Sequence, residues 1–165
     1  MKYIITTYMA LFSLFLLSTS SVQAQNIFKV TENQLILPNP ILFDLHANDI
    51  SDTNNPIIDY VADFLKQNSN ISKFRIESHV FTESNSTENM KLSMQRAAIV
   101  AYYLTTKGID CGILTVSGFG DTNPIDSINT NLNTRVDFYI EKLGNSEVAT
   151  KRIFNTCKFF NPCDE

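Results

Sequence analysis

Asn89, Ser93 and Arg96 stand at i, i+4 and i+7, so a helix through this stretch carries all three on one face. That face begins just after a polar loop, Thr82 to Thr87. Arg96 is followed by Ala97 and Ala98, whose short side chains leave room for a ligand or a neighbouring strand. A guanidinium held on a helix beside strand ends presents a planar fork of donors, which matches a carboxylate two bonds at a time. The ordinary alternative is a surface arginine paired with a nearby acid, and spacing alone does not separate the two.

Catalytic chemistry has less to stand on. Glu77, Glu83 and Glu88 lie near the same strand–loop–helix junction and offer a carboxylate pair, but charges so placed usually form a solvated face. The histidines are His46 and His79, and the chain has no GxSxG, Walker A, GxGxxG or HExxH pattern. A glycan hydrolase needs two positioned carboxylates, and none can be assigned. Cys111, Cys157 and Cys163 include no CxxC pair and no nearby histidine cluster, so no zinc spacing is present. The chain is read as a non-enzyme with no cofactor and no metal.

The elements that position these residues follow from hydrophobic period. Ile41 to His46 alternates apolar and polar residues, as a half-buried strand does. Asn54-Asn55-Pro56 starts a helix, with Ile57, Val61, Phe64 and Leu65 at helical spacing to about Gln67. Phe74, Ile76, Ser78 and Val80 alternate with Arg75, Glu77 and His79 in a second strand. Glu88 to Thr106 is the strongest helix, with a core stripe of Leu92, Ala97 (or Ile99), Val100, Tyr103 and Leu104, and Gly108 closes it. Ile113 to Ser117 and Arg135 to Glu141 are two further strands, separated by Gly118 to Thr134, a Gly- and Asn-rich loop or weak short helix. The order predicts an α/β (α+β) two-layer sandwich, a βαβαβ–β mixed sheet with both helices packed on one face.

The ends bound the compartment. Met1 to Tyr3 is short and singly positive, Ile4 to Leu17 is almost wholly apolar, and Val22-Gln23-Ala24 suits signal peptidase. The apolar run is about fourteen residues, short of the roughly twenty a spanning helix needs. Residues 1–24 are therefore expected to be a signal peptide cleaved after Ala24, 25–40 an N-terminal lead-in, 41–142 the folded domain, and 143–165 a tail with two cysteines. Loss of Lys2 takes the net charge from −4 to −5, with acids scattered along the chain, which disfavours nucleic acid as a partner. No transmembrane segment is expected in the mature chain. Export to an oxidising compartment makes a disulfide an expectation. Cys157 with Cys163 is the first choice, leaving Cys111 a buried thiol, and Cys111 with Cys157 the alternative.

Asn89-Met-Lys-Leu92-Ser93-Met-Gln-Arg96-Ala97-Ala-Ile-Val100-Ala-Tyr-Tyr-Leu104 resembles N-x-x-L-S-x-x-R-A-x-x-V-x-x-x-L, the signature of OmpA/MotB C-terminal domains and peptidoglycan-associated lipoproteins. Gly108-Ile109, Val116-Ser-Gly118-Phe119-Gly120 and Pro124 resemble that family's "GI … GYG … P" segment, and the likeness covers roughly Ile41 to Lys142. It implies a periplasmic protein, associated with the cell wall or outer membrane, that binds the diaminopimelate of the peptidoglycan stem peptide without a covalent bond. In the family an arginine meets the carboxylate of diaminopimelate and an aspartate its ammonium. The arginine carries over as Arg96, with Leu92 and Asn89 in support. The aspartate does not: Ser78-His79-Val80-Phe81 stands where the family has Gly-His-Thr-Asp, so Phe81 takes its place. The polar residue ending the family's first strand becomes His46, and Asn133-Thr134-Arg135-Val136 replaces Asn-Arg-Arg-Val. The implied ligand-binding set is Arg96, Leu92, Asn89, Phe81, His46 and His79. The resemblance leaves a second reading open, in which the altered pocket serves as a protein–protein interaction module for another envelope protein.

Overall fold

The computed structural model of the chain describes residues 28–43, 55–148 and 158–160. Two α-helices, two short 3-10 helices (Cys111–Ile113 and Thr130–Asn133) and seven strands occupy them: β1 Lys29–Thr31, β2 Gln34–Ile36, α1 Asn55–Gln67, β3 Ile71–His79, α2 Ser86–Thr106, β4 Leu114–Gly120, β5 Arg135–Leu143, β6 Ser146–Glu147 and β7 Lys158–Phe160. The sheet runs β1-β2-β5-β3-β4-β7, with β6 paired to β5. β3 and β4 are parallel, joined through α2, and every other pairing is antiparallel. This is the α/β sandwich predicted from the hydrophobic pattern.

Apolar period explains the helix layer. α1 buries Ile57, Ile58, Val61, Ala62, Phe64 and Leu65 on one stripe. Opposite it, Phe74 of β3 stacks on Phe138 of β5 at 5.7 Å between ring centroids and meets Phe64 at 6.3 Å. α2 is capped by Asn85, whose side chain accepts the Glu88 N–H. It ends as the sequence predicts: Gly108 sits at φ 84, its N–H reaches the Thr105 carbonyl, and the Ile109 N–H returns to the Leu104 carbonyl.

Three expectations change. Of the strand predicted over 41–46, residues 41–43 hold only an isolated bridge at Phe43, and His46 lies outside the described residues. The strand beside β5 is β2 instead, held by Asn33, whose side-chain amide donates to the Ile140 carbonyl and whose own carbonyl accepts the Ile140 N–H. The sheet thus draws in residues on both sides of 41–142. The buried stripe of α2 is Asn89, Ser93, Arg96, Ala97, Val100, Ala101 and Leu104, while Leu92 and Tyr103 are half-buried. The predicted polar face is therefore turned inward. Finally, Cys111 is disulfide-bonded rather than free, and Cys157 and Cys163 lie outside the described residues. No helix among the described residues is long and apolar enough to cross a membrane.

Candidate functional site

The inward turn of the polar stripe follows from two glycines. A Cβ on Gly118 would stand 2.6 Å from the Met94 backbone nitrogen, and one on Gly120 2.8 Å from that of Met90. Such contacts let α2 lie directly on β4, with no layer of side chains between them. Ser93 then reaches the strand, its hydroxyl accepting the Gly120 N–H at 2.8 Å and donating to the Met90 carbonyl. The serine of the helix motif and the second glycine of the strand motif are thus two halves of one contact.

One turn earlier, Asn89 is committed in the same way. Its Oδ1 accepts the Thr82 hydroxyl at 2.6 Å, and its Nδ2 donates to the Ser84 carbonyl and to Asp121 Oδ2. Asp121 also accepts the Ser86 hydroxyl. Asn89 therefore ties the loop after β3 to the loop after β4, and its role is to position them. Thr82 and Asp121 went unnoticed in the sequence because neither lies on the helix repeat.

One turn later stands Arg96. Its side chain is only 8 % exposed, its guanidinium lies 4.6 Å from the Phe43 ring centre, and its Nε has no hydrogen-bond partner. Burial lowers its pKa from the ordinary arginine value, because desolvation disfavours the charged form. No carboxylate among the described residues forms an ion pair with it. Of the two readings, a surface arginine paired with an acid is the one the structure removes: Arg96 is a buried cation resting on an aromatic face.

The remaining predicted residues are distributed as follows. Leu92 and Asn89 line a cavity of about 300 Å³ with Thr82, Glu88 and Gln95, and neither Arg96 nor Phe81 is in its wall. Phe81 is 39 % exposed, and its backbone N–H is held by the Thr134 hydroxyl at 3.0 Å. His79 is 1 % exposed and lies on the opposite face of the sheet from α2, stacked on Phe119 at 5.0 Å. Strand alternation forces this, since Ser78 and Val80 take the helix side. The structure therefore gathers Asn89, Leu92 and Arg96 along one helix and separates His79 from them.

A sequence profile described as the OmpA family matches residues 42–136, more than half of the chain. The chain belongs to the OmpA family. Among curated proteins, the probable lipoprotein YiaD of Escherichia coli strain K12 is 33% identical over 98 residues, which is 58% of this chain and 43% of that protein. The chain spans less than half the length of the curated relatives it matches. Among solved structures, the cell wall anchor of the T6SS from Pseudomonas aeruginosa is 28% identical, with a TM-score of 0.51 over 60% of this chain and 73% of that one. The OmpA-like domain of FopA1 from Francisella tularensis subsp. tularensis SCHU S4 is 23% identical, with a TM-score of 0.54 over 74% and 90%. The OmpA family is one of structural modules rather than of enzymes.

Proposed function

We propose that this chain is an exported envelope protein whose OmpA-like domain, over residues 41–142, holds peptidoglycan without a covalent bond. Arg96 takes the carboxylate of the stem-peptide diaminopimelate. The observation that carries this reading is the state of Arg96, a buried guanidinium with an unpartnered Nε and no carboxylate of its own among the described residues. A buried charge left without an anion is costly, and a ligand carboxylate relieves that cost while forming charge-assisted bonds. The name of the Pseudomonas relative, a cell wall anchor, supports the same assignment. Residues 1–24 serve as the export signal, and the mature chain works in the periplasm, at the cell wall or outer membrane.

The test is co-sedimentation of the mature protein with purified sacculi. Wild type is expected to pellet with the sacculi. Arg96→Lys, which keeps the charge but loses the fork, is expected to bind roughly tenfold to a hundredfold more weakly, as loss of a charge-assisted bond of about 1.5–3 kcal/mol dictates. A wild type that stays in the supernatant overturns the reading. N-terminal sequencing of periplasmic protein is expected to begin at Gln25, and an intact Met1 overturns the export assignment.

A second reading has its own observation. Ile125, Ile128 and Leu132 are all exposed, Ile128 at 93 %, on the loop between β4 and β5 whose last residues neighbour Phe81 through Thr134. In that reading the loop meets another envelope protein and the pocket no longer takes peptidoglycan. Folded protein that ignores sacculi but is retained by an envelope extract only while Ile128 is intact would favour it.

A further inference from the structure

The sheet face turned away from the helices carries a cluster of charges that the peptidoglycan site does not use. Glu77 of β3 and Asp137 of β5 are direct cross-strand partners on that face. Two carboxylates so placed repel each other and destabilise the pair unless a cation stands between them. Both are nonetheless largely covered, with side chains 10% and 16% exposed.

His79, two residues along β3 and so on the same face, points its Nε2 between the two acids, 3.5 Å from Asp137 Oδ2 and 3.8 Å from Glu77 Oε2. These separations are too long for good hydrogen bonds. Both ring nitrogens of this buried histidine lack a partner, which is a rare condition for a buried polar group. Two arginines already attend the acids: Arg75 Nε lies 2.8 Å from Glu77 Oε1, and Arg135 Nε 2.8 Å from Asp137 Oδ2. Arg75 also pairs with Glu141 at 3.0 Å. Three carboxylates thus face two guanidiniums, which leaves one negative charge and one unpartnered imidazole.

We propose that Glu77, His79 and Asp137 form a binding site for a divalent transition-metal ion of the zinc type. One ligand atom from each residue falls within 4.8 Å of the other two. Around a zinc ion bonded at about 2.1 Å, tetrahedral ligand atoms stand about 3.4 Å apart, so the two histidine–carboxylate separations are already close to those of a loaded site. A donor set of one imidazole and two carboxylates selects zinc, cobalt or nickel over calcium or magnesium, which take oxygen alone. Three protein ligands leave a fourth position for water. A cavity of about 290 Å³, walled by Glu32, Gln34, Arg75, Glu77 and Tyr139, adjoins Glu77 and gives an ion a way in. The ion neutralises the cross-strand repulsion and gives His79 its partner, so it acts as a structural clip between β3 and β5.

The experiment is calorimetric titration of the full chain, untagged and stripped by chelation, with Zn²⁺ and separately with Co²⁺. One equivalent is expected to bind, with a rise in thermal midpoint and, for Co²⁺, the visible band of a low-symmetry site. Asp137→Asn and His79→Gln are expected to weaken binding by more than the roughly tenfold to hundredfold that loss of an outer partner brings. Glu141→Gln, outside the proposed ligand set, is expected to keep it. Wild type that takes up no ion overturns the proposal, whatever the variants do. So does uptake that folded Asp137→Asn matches.

Discussion

Ser93 and Gly120, 27 residues apart, share one buried hydrogen bond of 2.8 Å that fastens α2 to β4. Its loss leaves the Gly120 N–H without a partner in the interior. Ser93→Ala is expected to lower stability by about 1–3 kcal/mol, seen as a lower denaturant midpoint at unchanged slope. Gly118→Ala is expected to cost a similar ~1–3 kcal/mol, because its Cβ meets helix backbone that has nowhere to go. Gly112→Ala is the control, since its nearest contact is an Asp110 side-chain oxygen at 3.2 Å. Equal midpoints for the two glycine variants would show that α2 does not rest on β4 as described.

Phe81 stands in the place of the family's aspartate, and it is exposed rather than part of the core. Phe81→Asp is expected to melt close to wild type. It should strengthen sacculus binding by roughly tenfold to a hundredfold, if the restored carboxylate meets the ligand ammonium. A folded variant with no gain places Phe81 outside the ligand's reach.

The disulfide of Cys111 has a preferred partner on register grounds. Val116 is opposite Phe160 and Gly118 opposite Lys158 in the antiparallel β4–β7 pair. From Lys158, next to Cys157 in sequence, to Phe160, three residues before Cys163, β7 runs from Gly118 to Val116, toward the end of β4 that Cys111 precedes. A disulfide spans only roughly 5.5 Å between Cα atoms, so the cysteine that follows Phe160 is the favoured partner. Non-reducing peptide mapping is expected to return Cys111 joined to Cys163. A Cys111–Cys157 or Cys157–Cys163 peptide contradicts it.

Tyr139 gives a pH signature. Burial, then the charges of Asp137 and Glu77, raise its pKa from 10.0 to about 12. In the unfolded chain the phenol ionises first, so its contribution to stability is complete below about pH 10 and is lost as pH rises toward about 12. Denaturation of the chelator-stripped protein, followed across that window, is expected to show a falling stability that Tyr139→Phe flattens. The ring stays, so the Arg75 contact over it at 5.2 Å is kept. Parallel curves for the two proteins would assign the loss to other groups.

Both helices and three of the core strands were legible because each has one apolar face and a clear stop, as at Gly108. The short strands β1, β2, β6 and β7 were not, because two- or three-residue strands carry too few side chains to display a period. Spacing places Arg96 on the polar stripe of α2 but carries no information on its burial. Only the close approach permitted by Gly118 and Gly120 turns that stripe inward. His79 was grouped with Arg96 through a linear motif, whereas strand pleating sends it to the other side. The Glu77–Asp137 pairing needed the register of two strands nearly sixty residues apart, which no local pattern supplies.

The pairing of β7 along β4 has a meaning for how the protein keeps to itself. β4 is the parallel strand on that flank, and without residues 158–160 its outer row of amide and carbonyl groups would face solvent as a template for any passing strand. These residues follow β5 in sequence by more than a dozen positions, so during synthesis the central sheet is complete before its flank is covered. Reduction of the Cys111 bridge, by loosening that cover, makes self-association of an otherwise intact fold a hazard of a reducing environment.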